Sequence, residues 1–114
     1  MKIETSKLTG AAIDWAVARC EGIINGDVLD VGFILEGGYS PSTNWAQGGP
    51  IIERENINIE TWHGAWQAEL EFLPDDDTHY RYGKGAGPTP LIAVMRCYCA
   101  SKLGHEVDVP DELC

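Results

Sequence analysis

Between Trp66 and Phe72, the apolar residues Trp66, Ala68, Leu70 and Phe72 alternate with Gln67, Glu69 and Glu71, the clearest period-two pattern in the chain. Successive side chains of a strand point to opposite faces, so this segment predicts one buried face and one wet face. A strand of that kind needs a second layer over its apolar face. Two helical patterns near the ends of the chain can supply it. From Thr9 to Glu21 the spacing of Leu8, Ala12, Trp15 and Ala16 keeps one face of a 3.6-residue repeat, with Thr9 placed to cap the helix and Gly22 to end it. Gly87-Pro88-Thr89-Pro90 opens the other, where Thr89 is an N-cap and Pro90 fills the first turn at no hydrogen-bond cost. That helix runs to about Leu103 and stops at Gly104; Leu91, Met95, Tyr98 and Lys102 form one stripe, and Ile92, Arg96 and Cys99 the next.

The intervening chain is shorter in period. Asp27 to Leu35 is rich in Val, Ile, Leu and Phe and predicts a strand, or two, ended by Gly37 and Gly38. Tyr39 to Glu55 predicts a long loop with a turn at Asn44 to Gln47, and Ile51 to Ile59 a strand leaving it. Pro74 to Thr78 predicts a turn, Tyr80-Arg81-Tyr82 a short returning strand, Gly83 to Gly87 a glycine-rich link, and His105 to Cys114 an acidic surface tail. The expected fold is α+β: one small domain over residues 1–114, with two terminal helices packed on a short, mainly antiparallel sheet.

With 114 residues, such a domain buries roughly two thirds of its unfolded surface and needs no metal or disulfide to fold. Cys20, Cys97, Cys99 and Cys114 are expected to be thiols, and Cys97 and Cys99 project to different sides of a helix. Eight basic residues against eighteen acidic ones leave a net charge of −10. That charge disfavours direct binding to a nucleic-acid backbone and suits solubility, or imitation of a phosphate array. No apolar run reaches the about 18 residues of a membrane span, so a soluble cytosolic protein is expected. His63, His79 and His105 are isolated, and Asp75-Asp76-Asp77 lacks the glycine and distal glutamate of a calcium loop, so no metal site is expected. Gly48-Gly49-Pro50 lacks the lysine of a phosphate loop, there is no dinucleotide fingerprint, and no cofactor is implied. No catalytic triad or carboxylate pair emerges, so no catalytic residue is assigned and binding is favoured over enzymology.

The richest chemistry lies in Tyr39-Ser-Pro-Ser-Thr-Asn-Trp-Ala-Gln-Gly-Gly-Pro-Ile-Ile-Glu-Arg-Glu55, which mixes turn formers with aromatic, amide, hydroxyl and charged groups. Trp45 stands among small polar residues, either as a stacking platform or as a plug for the core, and Tyr39 has the same two readings. Arg54 and Arg96 are placed either for ion pairs or for phosphate and carboxylate recognition. The start of the Thr89-Pro90 helix adds backbone donors and the positive end of a dipole. The candidate ligand-binding set is Tyr39, Ser40, Ser42, Trp45, Gln47, Gly48, Gly49, Arg54, Thr89 and Arg96.

Three blocks resemble the NinX-like family of small phage and prophage proteins: Thr9-Gly-Ala-Ala-Ile-Asp-Trp-Ala-Val-Ala18, the Tyr39 to Glu55 segment, and Gly87-Pro-Thr-Pro-Leu-Ile-Ala-Val-Met-Arg-Cys-Tyr98 with Ala100-Ser-Lys-Leu-Gly104. The similarity runs across nearly the whole chain. It implies a phage-encoded protein acting in the bacterial host cytoplasm and supplies no catalytic residues to transfer. Joined to the residue chemistry, it leads to a non-enzymatic protein that binds a small polar or nucleotide-like ligand and sequesters a host defence signal. Trp45 or Tyr39 would stack, Ser40 and Gln47 would read polar edges, and Arg54 or Arg96 would meet phosphate. Two alternatives stand beside it: an acidic protein-interaction or DNA-mimic inhibitor of a host protein, and a small nucleotide-modifying hydrolase. A homo-oligomer is also open to the chain, through the Ala-rich face of the first helix or the Met/Tyr face of the last.

Overall fold

The structure, a computed structural model, describes residues 1–22, 31–72 and 81–114, with side chains for all of these except Trp62 and Phe72. In chain order the elements are β1 (Lys2–Glu4), α1 (Gly10–Cys20), α2 (Val31–Leu35), α3 (Trp45–Glu55), β2 (Asn58–Trp62), β3 (Ala65–Phe72), β4 (Arg81–Gly87), α4 (Pro90–Leu103) and β5 (Glu106–Asp108). Two short 3-10 turns, Thr5–Lys7 and Asp111–Leu113, complete them. Strands β2, β3 and β4 form an antiparallel sheet in that order, and β1 pairs antiparallel with β5. The α+β class expected from the sequence is the class observed.

The alternating segment is β3. Ala68 and Leu70 are buried while Glu69 and Glu71 are exposed, so the period sets the faces of the sheet. His63 and Gly64, both left-handed with φ of 50° and 81°, close the two-residue turn between β2 and β3, the backbone that matches strand twist in short hairpins.

Helix α4 lies against the apolar face. Thr89 caps it by accepting the Ile92 N–H at 3.2 Å, Pro90 opens it, and Gly104 ends it. Ala93, Val94, Met95, Cys97, Tyr98 and Cys99 are all fully buried, so the helix is enclosed on nearly every side. Its seat on the sheet is made of glycine. Gly83, Gly85 and Gly87 face it across from Leu70, Ala68 and Trp66, and a Cβ at Gly87 would come within 2.7 Å of Ile92 Cγ2. Helix α1 then packs chiefly on α4 through Ala12, Ile13, Ala16 and Val17. Thr9 occupies the N-cap position of α1 without a side-chain bond, and Gly22 follows the helix in a left-handed conformation. The Ala-rich face of α1 and the Met95/Tyr98 face of α4 are therefore occupied within the chain. All four cysteines are free thiols, with Cys97 and Cys99 inside the core.

Several expectations are overturned. Val31–Leu35 is helical, not extended: the Gly38 N–H reaches Phe33 O and the Gly37 N–H reaches Ile34 O, both at 3.0 Å, which is the closing pattern of a helix end. The segment from Ile51 to Glu55 is the second half of α3, and extended structure begins only at Asn58. The Asn44 side chain starts α3 by accepting the Ala46 N–H, and left-handed Asn56 stops it, so the caps set the ends of a helix that runs through the Gly-Gly-Pro signal. Gly83–Gly87 is strand rather than link, because its alternate glycines are contact points for α4. The acidic tail is not merely superficial: Val107, Val109 and Leu113 are buried, and Val107 pairs with Ile3. The predicted strand residues Asp27–Asp30, the Pro74 to Thr78 turn, His79 and Tyr80 lie outside the described residues.

Candidate functional site

The first half of the Tyr39 to Glu55 segment is pinned to α1 by Asp14, whose buried carboxylate accepts the Ser42 N–H at 3.0 Å. Burial pushes the Asp14 carboxyl up, and the Ser42 backbone and hydroxyl hydrogen bonds oppose that rise. Asp14→Ala, which strands the buried Ser42 N–H, should cost about 2 kcal/mol; Asp14→Asn keeps an acceptor and removes the buried charge, and should cost little. Urea midpoints of the two variants check this. Equal losses would mean that the Ser42 bond does not hold the segment.

Ser40 and Gln47 brace each other. The Gln47 Oε1 accepts the Ser40 N–H at 2.6 Å, its amide reaches Gly38 O at 3.5 Å, and the Ser40 carbonyl accepts from the Thr43 and Asn44 N–H groups. Gly48 is buried against Pro41 and α4; a Cβ there would meet Pro41 O at 2.6 Å and Leu91 Cδ2 at 2.7 Å. Its bareness draws the start of α3 onto the start of α4. Between them lies a groove of about 220 Å³ lined by Ser42, Thr43, Trp45, Thr89, Pro90, Leu91 and Ile92. Trp45 remains 55% exposed beside it.

The other candidates fall elsewhere. Arg54 grips both carboxylate oxygens of Glu21 at 3.0 and 2.6 Å, reaches Glu55 at 2.9 Å and donates to the Tyr98 hydroxyl at 3.1 Å. Arg81 donates to the second oxygen of Glu55 at 2.7 Å, and the Tyr98 hydroxyl donates to Glu21. Tyr39 is half-buried near this cluster; burial, with the charges of Glu21 and Asp14, pushes its phenol up to about 12. Arg96 donates to Leu8 O at 2.8 Å and Ala86 O at 2.7 Å, tying the segment before α1 to the end of β4. Gly49 has open space where a Cβ would stand.

Of the residues singled out in the sequence, Ser42, Trp45 and Thr89 share one groove, Gly48 forms its contact, and Ser40 and Gln47 support it. Arg54 and Arg96 are held by acids and by backbone carbonyls respectively, away from that lining. Sequence reasoning missed Thr43, Pro90, Leu91 and Ile92 as lining residues; the legible signal was the run on either side of the Thr89 cap. Among the described residues no group of three or more His, Cys, Asp or Glu side chains is placed to hold a metal, and no helix is long and apolar enough to cross a membrane.

Residues 4–102 match the family model described as Bacteriophage P22, NinX. No curated protein matches the chain.

Proposed function

The chain belongs to the bacteriophage P22 NinX family, and from that premise we propose that it is a phage accessory protein that captures a small polar or nucleotide-like ligand without converting it. The supporting observation is Trp45, a ring left 55% exposed beside a groove with hydroxyl groups on its rim. A large aromatic surface held in water is a natural stacking platform. The groove lining carries hydroxyl, proline, aliphatic and indole groups and no acid or base, which suits capture better than chemistry. Sequestering a host defence signal in the bacterial cytoplasm is a use that fits such capture.

A thermal-shift panel of nucleobases, nucleosides and nucleotides tests this, with the ligand recovered and weighed by mass spectrometry. Trp45→Ala should abolish ligand-dependent stabilisation while leaving the free protein folded, at a cost of about 1–2 kcal/mol for the covered part of the ring. Unchanged affinity would remove Trp45 from the site, and converted ligand would favour a hydrolase.

An acidic inhibitor of a host DNA-binding protein is the second proposal, favoured by the exposed face of the sheet, where Glu60, Glu69 and Glu71 stand in water on a chain of net charge −10. Salt-sensitive capture of such a host protein, with no ligand in the panel stabilising the chain, would decide for it.

A further inference from the structure

The groove beside Trp45 differs from the two arginine clusters in carrying no charged side chain. Its hydroxyls are also partly committed, and in opposite senses. Thr89 Oγ1 already accepts the Ile92 N–H at 3.2 Å, which leaves its own O–H to donate. Thr43 Oγ1 points its O–H toward Ser40 O at 3.4 Å, which leaves its lone pairs to accept. Ser42 is buried, with its N–H on Asp14.

The start of α4 is largely spoken for. Pro90 has no N–H, the Ile92 N–H goes to the Thr89 side chain, and the Ala93 N–H goes to the Thr89 carbonyl at 3.1 Å, which leaves the Leu91 N–H as the one backbone donor of the first turn. A capped terminus with a single N–H to spare lacks the converging donors of an anion cradle. Arg54 and Arg96, the cations that could have met a phosphate, are engaged elsewhere.

We infer that the groove recognises the uncharged ring of a nucleobase or nucleoside, stacked on Trp45 with one donor–acceptor edge read by Thr89 and Thr43, and that phosphate groups add nothing to binding. This rests on the capture function proposed above and narrows its ligand. A net charge of −10 sharpens the expectation, because each added phosphate enters an unfavourable field. Affinity should fall, rather than climb, along the series from nucleoside to triphosphate.

Isothermal titration calorimetry of the full chain with the four ribonucleosides and their mono- and triphosphates tests this at about 50 and about 500 mM salt. The expected result is at least one binding base, with its triphosphate weaker by about two- to threefold at low salt and level with the nucleoside at high salt. Affinity that rises with phosphate number and collapses in salt overturns the inference while leaving ligand capture intact. Binding by no member of the series overturns both. Thr43→Val keeps the branched shape and deletes the acceptor; a loss of about fivefold is expected for the nucleoside, and an unchanged affinity overturns the edge reading. Circular dichroism of Thr43→Val confirms that the loss is not unfolding.

Discussion

Gly85→Ala should lower the stability of the protein by about 3 kcal/mol, at the upper end of overpacking costs, and its melting midpoint by roughly 12 °C or more. The added methyl would stand 2.5 Å from the Cys97 N of α4 and overlap Ala93 O as well. Both neighbours are backbone atoms of a helix enclosed by the core, so no side chain can swing aside. Either α4 must lift from β4 or the strand must bend, and each separates Leu70 and Ala68 from the helix they cover. Gly49→Ala provides the contrast. It sits within α3 with open space for a Cβ apart from its chain neighbours, so helix propensity and crowding by the Pro50 ring oppose each other and the change should move stability by about 1 kcal/mol or less. Differential scanning calorimetry of the pair is decisive: a Gly85→Ala midpoint within a degree or two of the parent would mean that the helix does not rest on the strand as described.

The second large effect centres on Arg54. Replacing it by alanine leaves Glu21 and Glu55, only 17% and 10% exposed, without their main cation. A cost of about 2 kcal/mol at neutral pH is expected, below that of fully buried pairs because Arg54 is itself half exposed. Burial alone would raise the Glu21 carboxyl, but the Arg54 guanidinium and the Tyr98 hydroxyl hold it below the usual carboxylate range. Burial is likewise outweighed at Glu55, by Arg54 and Arg81. Carboxyls depressed in the folded state contribute stability that is complete above their unfolded pKa, about 4.3, and lost as pH falls through the lower folded value. Asp14 has the opposite sense: its raised carboxyl favours the fold below the unfolded pKa and forfeits that benefit as pH rises through the folded value. Urea unfolding between about pH 7 and about pH 3 should therefore show the cost of Arg54→Ala shrinking as the acids protonate. A cost independent of pH would refute the charge network as its cause.

The parts of the fold that were legible in sequence are those whose signal is local. The alternation of β3 and the Thr89-Pro90 start of α4 depend on neighbours a few residues away, and both appear where expected. Helix α3 was hidden because Gly48, Gly49 and Pro50 are breakers by propensity; Pro50 offers no N–H to the Ala46 carbonyl. What holds the helix is tertiary: Gly48 sits against Pro41 and Leu91, and Ile51 is buried. Spacing two apart was the available clue for Gly83, Gly85 and Gly87, since a flexible link has no reason to keep its glycines on one face. For the candidate site, Trp45 and Thr89 could be named from composition and capping. Among the partners of Arg54 and Arg96, adjacent Glu55 was within reach of the sequence, whereas Glu21 and Leu8, 33 and 88 residues away, were not.

The pairing of β1 with β5 bears on how the chain is made as well as how it stands. Lys2–Glu4 is translated before every other element described, yet its partner Glu106–Asp108 is translated only after α4. The β2–β3 hairpin and the seating of α4 on β4 join neighbours in sequence and need no contact from Lys2–Glu4. Closing β1 on β5 is thus the most non-local step in forming the fold, and it can follow only once Glu106–Asp108 has been made.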